Sequence, residues 1–478
     1  MVSFSTKFLR KNKFLIFLFL ICLFTRVSSS INYFEDIDSL RFGLSASEFN
    51  ILESRPHFPG YAVFCFLLRT IFEIINNIGI SFSIIGGVSL FMIIFFSQKI
   101  IDIFHDLNKI FFSILILFNP FLWLMGNRYM PDLLGLALLC AGLFYFLKII
   151  EEKKIKDYLI FGLIIGLQSG VRLSYIPFFL PAVILLSNKK VFYSIISFLL
   201  GFFIWAIPLI LITGFDNIIT IFKNDFHGHF FRWGGTILSS EASLATRFYN
   251  VIEFIFVDGF SFWKNGRNWT TIINSFFISI FVISFCKNLK YDNFKKFDSH
   301  IKIIICCFFS YFVWIFLFQN INYKPRHIMP FIPAIAALIA YGASFSSQKN
   351  YVNIIVFIIF LIPHIYITNK LITQHKEKSA ISQITNFMNN ISEEKVILFS
   401  DGLKIFYFNK TISNKKVKLV NLNRRDDNLT KEYINKGYRV YSTIKLNELN
   451  YVKHKKIPFY HNPFVNRLWS QLNIYHYE

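Results

Sequence analysis

The chain has 478 residues, of which 54% are hydrophobic and 19% aromatic, and its mean hydropathy is +0.48. A water-soluble protein of this length cannot bury so much apolar surface, so the composition excludes an ordinary soluble enzyme and predicts a polytopic α-helical membrane protein. Basic loops and lipid phosphates explain the formal net charge of +22, so we expect membrane lipids, and not nucleic acid, as charged partners.

The first apolar segment covers residues 14–31 and follows a basic N-terminus. This arrangement predicts a span with its N-terminus in the cytoplasm, which places the next residues outside. The following apolar tract, 59–77, is interrupted by Arg69 and Glu73, which stand four residues apart and can pair on one helix face. We therefore expect it to lie in the outer membrane interface, within an external loop of residues 31–77.

Ten further apolar tracts complete a prediction of about eleven spans. The short basic loops 151–157, 187–190 and 287–296 should face the cytoplasm, and this parity holds only if the 59–77 tract does not cross. Residues 213–268 form a second long external loop. The predicted spans cover residues 14–31, 78–97, 109–125, 133–150, 158–170, 176–186, 191–212, 269–286, 303–318, 328–344 and 351–367.

The composition changes at about residue 369, which divides the chain into a membrane domain, 1–368, and a C-terminal domain, 369–478. Strand-like runs alternate here with helix-like runs, and this pattern predicts a small α/β domain. Long domains translocate largely regardless of charge, so its basic character is compatible with an external position. The strand-like runs are 395–400, 416–423 and 438–443, and the helix-like runs are 401–408 and 430–437.

Three carboxylates, Glu35, Asp36 and Asp38, follow the first span within four residues. They repel one another, which raises the pKa of at least one of them or attracts a cation. An ionised carboxylate beside an acceptor hydroxyl can act as a general base. The simpler interpretation is a solvated loop that happens to be acidic. A divalent cation, Mg²⁺ or Mn²⁺, on these three oxygen ligands is a further alternative, and no other cofactor is expected.

Basic residues collect on the predicted external side, in the same loops or in short turns between spans. Cations at this depth suit the phosphate or pyrophosphate of a lipid head group. The alternative is that they only anchor the helices at the interface. The set comprises Arg55, His57, Arg128, Arg172, Lys324, Arg326 and His327, and Asp132 stands close to Arg128 in one of the turns.

Four stretches resemble motifs of the GT-C glycosyltransferases, in particular the group of protein O-mannosyltransferases and the lipid A aminoarabinose transferase. DSLRFGLSA (38–46) resembles the D-E-x-x-[YF]-x-x-x-A stretch of the first external loop of that family, and PHFPGYAVF (56–64) resembles the following H-x-P-P-L/G-Y element. Residues 127–139 resemble its second external acidic turn, and RHIMPFIP (326–333) resembles its R-Y-x-L-P-x-x-P element. A GT-C-like fold with a small external domain is the expectation.

One position departs from the family motif. The glutamate that follows the aspartate in the family is Ser39 here, whereas acidic residues stand upstream at 35 and 36. This leaves both Asp36 and Asp38 as candidates for the base. Asp38 keeps the register of the motif, and we prefer it.

The resemblance implies an integral membrane glycosyltransferase that transfers a hexose or pentose from a polyprenyl-phosphate-linked donor, with inversion, to a hydroxyl of a lipid, glycan or protein acceptor. Asp38 would accept the proton, and Asp132 would position the acceptor or support the base. The cations would stabilise the leaving lipid phosphate. We expect a bacterial plasma membrane, with the active site and the C-terminal domain on its external face. The residues implied in phosphate binding are Arg55, His57, Arg128, Arg172, Arg326 and His327.

Three other functions remain open at this point. A glycolipid or polysaccharide-precursor transporter, or flippase, would need charged or helix-breaking residues near the membrane midplane. A polysaccharide polymerase or ligase would also use external arginines, although an acidic cluster after the first span is less expected there. A non-catalytic scaffold would leave the acidic loop replaceable. Neither the sugar nor the acceptor follows from the residues.

Overall fold

A computed structural model describes residues 2–104, 109–186, 188–288, 298–345, 350–422, 427–446 and 453–477. Most of the predicted cytoplasmic loop 287–296 lies outside the described residues. The chain forms two compact units. The membrane unit comprises Met1–Ile31 and Leu44–Ile372, and the sheet unit comprises Asn32–Gly43 and Thr373–Glu478. The acidic segment therefore belongs to the sheet unit, whereas the predicted domains had assigned it to the membrane domain.

The membrane unit is helical. Besides α-helices it contains short 3₁₀ turns at Ile51–Glu53, Leu173–Phe179 and Pro325–Ile328 and π turns at Gly228–Arg232 and Phe254–Asp258. Its α-helices are Val2–Val27, Ala62–Ile75, Ile78–Phe104, Lys109–Leu117, Pro120–Asn127, Asp132–Glu152, Ile155–Ser169, Leu180–Leu185, Val191–Thr213, Phe215–His227, Leu244–Glu253, Thr270–Asn288, Asp298–Phe318, Phe331–Ser344 and Asn350–Lys376.

The chain is a multi-pass membrane protein. Within the described part, six helices are long and apolar enough to cross a membrane, or seven if the bent pair Lys109–Leu117 and Pro120–Asn127 is one span. A helix occupies each predicted tract, but the count of eleven spans is not confirmed. Three of the unconfirmed tracts coincide with short helices: Ile155–Ser169, for example, has 15 residues, or roughly 22 Å, whereas the hydrocarbon core is about 30 Å thick.

The bend between the paired helices, 51°, has a local cause in the sequence. Pro120 cannot continue the preceding helix but suits the first turn of the next one. Asn119 caps that turn, because its Oδ1 accepts a hydrogen bond from Leu122 N at 2.9 Å. The buried Arg26 donates from Nη2 to Leu117 O at 3.1 Å, which satisfies a carbonyl at the end of the first helix.

Close packing of the spans depends on glycine at defined points. A Cβ atom on Gly86 would lie 1.9 Å from Gly126 O, and one on Gly342 would lie 1.8 Å from Phe281 O. Any side chain at these positions would push two helices apart. Such contacts between small residues are typical of helix packing in membranes, where polar groups must be satisfied within the protein.

The Ala62–Ile75 helix corresponds to the tract that we expect to lie in the interface. Its 14 residues give roughly 21 Å, which is too short to cross the hydrocarbon core. Arg69 Nε and Glu73 Oε1 are 2.8 Å apart, so the pairing predicted from their spacing is present.

The sheet unit contains five strands in the order β2-β1-β3-β5-β4. Strands β1, β2 and β3 are parallel, and β5 and β4 extend the sheet in an antiparallel arrangement. The predicted small C-terminal α/β domain is confirmed. The strands are β1 Val396–Ser400, β2 Val417–Asn421, β3 Arg439–Ser442, β4 His454–Tyr460 and β5 Gln471–Tyr477, and the helices are Ala380–Asn389, Gly402–Thr411 and Asp427–Asn435.

Sequence analysis did not predict β4 and β5. Strand β4 contains Pro458, which cannot donate a hydrogen bond to a neighbouring strand and is tolerated at a sheet edge. It also begins with a basic run that includes Lys455 and Lys456. Lysine and proline are common on edge strands, where they discourage pairing with other chains, but in the sequence they look like a loop.

A buried arginine fixes the segment that leads to Arg326. Arg247 donates from Nε to Phe316 O at 2.8 Å, from Nη1 to Gly235 O at 3.1 Å and from Nη2 to Gln319 O at 2.9 Å. All three nitrogen atoms therefore bind carbonyl groups around the end of the Asp298–Phe318 helix. The role of this side chain is structural, and it holds the residues that precede Arg326.

Replacing Arg247 with methionine should destabilise the membrane unit. The loss leaves buried carbonyl groups without donors, and hydrogen bonds to a charged group contribute about 1.5–3 kcal/mol each. We expect the midpoint of thermal unfolding in detergent to fall by several degrees, measured by loss of the monodisperse elution peak. Arg232 is exposed and provides the matched control, so Arg232→Met should leave the midpoint unchanged. Equal midpoints for both variants would contradict the structural role.

Candidate active site

The three acids after the first span have three different environments in the sheet unit. Asp36 caps the Ile37–Ser45 helix: its Oδ1 accepts a hydrogen bond from Ser39 N at 2.8 Å, and Ser39 Oγ accepts one from Asp36 N at 2.9 Å. This reciprocal pair is a capping box, which satisfies backbone donors at the start of a helix. The carboxylate of Asp36 is thus engaged in local structure.

Glu35 pairs with a histidine of the same unit. Glu35 Oε1 and His375 Nε2 are 2.9 Å apart, and their side chains are 1% and 3% exposed. Asn466 Nδ2 also donates to the backbone oxygen of Glu35 at 3.1 Å. Tyr33 Oη donates to His375 O at 2.5 Å. These contacts hold the acidic segment within the sheet unit.

Asp38 is the third acid, and it lies in the first turn of the Ile37–Ser45 helix. Its Oδ1 lies 3.8 Å from Arg41 Nη1, a long contact between residues three apart on one helix. Among the described residues no three His, Cys, Asp or Glu side chains are grouped as metal ligands. A divalent cation on Glu35, Asp36 and Asp38 stays a prediction from the sequence.

The membrane unit contains a separate charged cluster around Asp132. Asp132 is the first residue of the Asp132–Glu152 helix, where a negative charge is favoured by the helix dipole. Its Oδ1 lies 2.9 Å from Arg172 Nη2 and 4.0 Å from Arg326 Nε. The Asp132 side chain is fully buried, and that of Arg172 is 7% exposed. Two guanidinium groups therefore meet one buried carboxylate at the ends of three helical segments.

A tyrosine links this cluster to His57. Arg172 Nη1 donates to Tyr61 Oη at 3.4 Å, and Tyr61 Oη lies 3.2 Å from His57 Nε2. Sequence analysis missed Tyr61. Its position at the end of the PHFPGY stretch, directly before the Ala62–Ile75 helix, was the available signal.

The close approach of Arg172 to the Asp132–Glu152 helix requires a glycine. A Cβ atom on Gly135 would lie 2.8 Å from Arg172 Cβ and 3.2 Å from the ring of Tyr175. Arg172 Cζ in turn lies 5.9 Å from the centre of the Tyr175 ring. On the other side, Arg326 Nη1 lies 2.7 Å from Met130 Sδ.

The charge states in the cluster follow from burial and from the single carboxylate. Burial opposes the charge of Arg172, but Asp132 and then Tyr61 more than compensate, so the pKa of Arg172 lies above its ordinary value. Burial lowers the pKa of His327 well below its ordinary value, and the positive charges of Arg172 and Arg326 lower it further. At neutral pH Arg172 is charged, and His327 is neutral.

Several buried polar atoms of the cluster have unused hydrogen-bonding capacity. In the part of the chain that the structure describes, Arg172 Nε and His327 Nδ1 have no hydrogen-bond partner. Buried polar groups in folded proteins nearly always have a partner in protein, ordered water or a ligand. The unpaired guanidinium N–H of Arg172 can therefore donate to water or to an anionic ligand.

The predicted site residues thus fall into three sets. The structure brings together His57, Asp132, Arg172, Arg326 and His327 in the membrane unit. Arg55 instead pairs with Glu48 and Glu53 of its own loop, and Arg128 lies at the end of the Pro120–Asn127 helix with its Nη1 4.0 Å from Met125 Sδ. The third set, Glu35, Asp36 and Asp38, lies in the sheet unit.

The buried ion pair of Asp132 and Arg172 should make the effects of substitutions at these two positions on stability strongly non-additive. Replacing Asp132 with asparagine leaves the charge of Arg172 without its carboxylate, and breaking a buried pair in this way costs about 3–5 kcal/mol. Arg172→Met added to Asp132→Asn should recover part of this loss, because residues in contact are not additive. We would compare thermal unfolding of the two single variants, the double variant and the wild type.

The exposed pair Asp102 and Lys109 is the control for that cycle. Surface ion pairs contribute about 0–1 kcal/mol, so Asp102→Asn should change the unfolding midpoint little. Additive effects of Asp132→Asn and Arg172→Met would contradict a direct buried interaction.

Comparison with known proteins identifies the fold. No family model and no curated protein matches the sequence. Among solved structures, ArnT from Cupriavidus metallidurans bound to undecaprenyl phosphate is similar with a TM-score of 0.56 and 8% identity, over 97% of this chain and 98% of that chain. The apo structure of the same protein gives a TM-score of 0.56 and 9% identity, over 98% of both chains.

The Archaeoglobus fulgidus oligosaccharyltransferase in its apo form gives a TM-score of 0.47 and 12% identity, over 90% of this chain and 68% of that chain, a score too low to establish a common fold. The similarity to ArnT extends over nearly the whole length of both chains and includes the membrane helices and the C-terminal sheet. The chain therefore shares the fold of ArnT, which agrees with the GT-C-like fold expected from its motifs.

Proposed function

We propose that the chain is a glycosyltransferase that moves a sugar from a polyprenyl-phosphate-linked donor to an acceptor hydroxyl. The observation that carries this proposal is the buried Arg172, held in its charged state by Asp132, with an unpaired Nε–H and with Arg326 beside the same carboxylate. Guanidinium groups bind phosphate through charge-assisted hydrogen bonds. The shared fold with a protein solved with undecaprenyl phosphate supports a lipid phosphate as the anion, by analogy.

The chemistry needs a base and a stabilised leaving group. In an inverting transfer the acceptor oxygen attacks the anomeric carbon and loses its proton, and the bond from that carbon to the donor phosphate breaks. The electron pair of that bond stays on the lipid phosphate, where preorganised cations stabilise the developing charge. Arg172 and Arg326 are our candidates for this role, while neutral His327 offers hydrogen bonding without charge.

Asp38 is our candidate for the base. Asp36 caps a helix and Glu35 pairs with His375, whereas Asp38 keeps the register of the family motif and lies 3.8 Å from Arg41 Nη1. An aspartate that remains ionised at neutral pH can accept the proton of a hydroxyl positioned beside it. Asp132 is then a positioning residue, because it orients and neutralises the guanidinium groups.

The distribution of basic loops supports an external site. Lys190 Nζ donates to Lys153 O at 2.8 Å, and Asn188 Nδ2 donates to Tyr158 Oη at 2.8 Å, so the basic loops 151–157 and 187–190 lie together. The positive-inside rule places such loops in the cytoplasm. The Asp132–Glu152 helix starts in the charged cluster and ends at these loops, which supports our proposal that the cluster faces outward from a bacterial plasma membrane.

Substitution of Asp38 should stop transfer, while substitution of Asp36 should not. We would follow the loss of sugar from a pool of polyprenyl-phosphate-sugars in membranes with matched expression. Asp38→Asn removes the base and should lower the rate by about 10²–10⁴-fold. Asp36→Ser keeps a capping side chain but removes the carboxylate, so activity should stay near that of the wild type.

Three outcomes of that assay separate the alternatives. Inactive Asp36→Ser with active Asp38→Asn would shift the base to Asp36. Activity in both variants would contradict an acid in this segment as the base. Absence of any donor consumption by the wild type across the pool would contradict a transferase and would favour the transporter.

Arg172 should matter for binding of the lipid phosphate. Arg172→Lys retains a positive charge but loses the planar fork that contacts two partners at once. We expect the inhibition constant of added undecaprenyl phosphate to rise about tenfold or more. This corresponds to a loss of at least about 1.4 kcal/mol of binding free energy. The exposed Arg232 supplies the control, because Arg232→Lys should leave the inhibition unchanged. Equal inhibition of wild type and Arg172→Lys would exclude Arg172 from the phosphate site.

A further inference from the structure

The segment predicted as external loop 213–268 contains an amphipathic helix whose apolar face packs only sparsely on protein. Phe215–His227 has no buried residue. Phe215, Ile219, Phe222 and Phe226 follow one another at intervals of four, three and four residues, so they share one face, and they are 36–62% exposed. In water such a row of large apolar side chains would be unfavourable.

The helix directly follows a membrane span. Val191–Thr213 has 23 residues, or roughly 35 Å, which already exceeds the hydrocarbon thickness of about 30 Å. Its last lipid-facing residues, Leu211 and Ile212, are 79% and 69% exposed. A straight continuation of this helix would carry four large apolar residues into water. Gly214, with φ at +85°, instead breaks the helix at this point.

We propose that the Phe215–His227 helix lies in the head-group region of the membrane, with its apolar face in contact with lipid. The exposed apolar surface of the span passes through the Gly214 turn directly into this face, so the lipid that covers one also covers the other. The opposite face, which includes Thr220 and Asn224, is polar and exposed and faces water. An apolar stripe opposed by a polar face is typical of helices that lie in the membrane interface.

The position of this helix also affects the depth of the charged cluster in the membrane. This consequence rests on the proposed function. The rings of Phe222 and Phe58 are 5.8 Å apart, and Phe58 is adjacent to His57. A helix seated in the head-group region would hold the His57 turn at the depth at which a lipid phosphate lies. The depth of the helix itself can be measured without any assay of transfer, so the two proposals can fail separately.

The test uses spin labels on the two faces of the same helix. Cys286 and Cys306 are the exposed cysteines and the other four are buried, so Cys286→Ser with Cys306→Ser provides a background with no reactive exposed thiol. Single labels are then placed through Phe222→Cys and Phe226→Cys on the apolar face, and through Thr220→Cys and Asn224→Cys as matched controls. The full chain is reconstituted in vesicles of phosphatidylethanolamine and phosphatidylglycerol.

We expect labels at 222 and 226 to collide with oxygen, which concentrates in lipid, several-fold more than with a water-soluble nickel chelate. Labels at 220 and 224 should show the reverse. Preference for the nickel chelate at all four positions would place the helix in water and overturn the proposal. Shielding from both reagents at 222 and 226, with disulfide cross-linking between copies, would show that a second copy of the chain covers this face, which would also overturn it.

Discussion

The membrane unit depends on one constraint, which is that a charge or a polar group inside it must be satisfied by the protein itself. Arg247 and Arg172 meet this constraint in different ways. Each side-chain nitrogen of Arg247 donates to a backbone carbonyl, so this arginine holds the fold. Arg172 is stabilised by the carboxylate of Asp132 and keeps an unpaired Nε–H. The two buried arginines therefore differ: Arg247 holds the fold, and Arg172 is the one that we propose as a binding group.

The acidic segment shows how a cluster in sequence can separate into independent roles. Glu35, Asp36 and Asp38 form a single acidic cluster in the sequence, but in the structure Glu35 pairs with a histidine, Asp36 caps a helix and Asp38 lies 3.8 Å from Arg41. The cap could have been predicted, because Asp36 and Ser39 have the spacing of a capping box. The pairing of Glu35 with His375 could not, because 340 residues separate the two positions and no local pattern connects them.

The fold was predictable where a local pattern decides it. Apolar tracts correspond to helices, and the alternation of strands and helices after residue 369 corresponds to the parallel part of the sheet. Local patterns decide less where length or context matters: the 15-residue helix Ile155–Ser169 is not confirmed as a span, and β4 with its proline was not predicted. The 3.6-residue period of Phe215, Ile219, Phe222 and Phe226 was visible in the sequence. It was overlooked because a long segment between two spans resembles a loop.

The position of the cluster explains why a transferase fits better than a transporter. Asp132 begins one helix, Arg172 follows the end of another, and Arg326 lies in the turn before a third, so the charges meet at helix ends and not halfway along the spans. A transporter needs its polar groups at the midplane, where substrate must pass from one side to the other. An enzyme that acts on a lipid-linked phosphate needs them at the depth of the head groups, where the reacting bond lies and where the lipid chain can stay in the bilayer. The same reasoning gives Gly135 its importance, because Arg172 can reach Asp132 at this level only where the neighbouring helix presents no side chain.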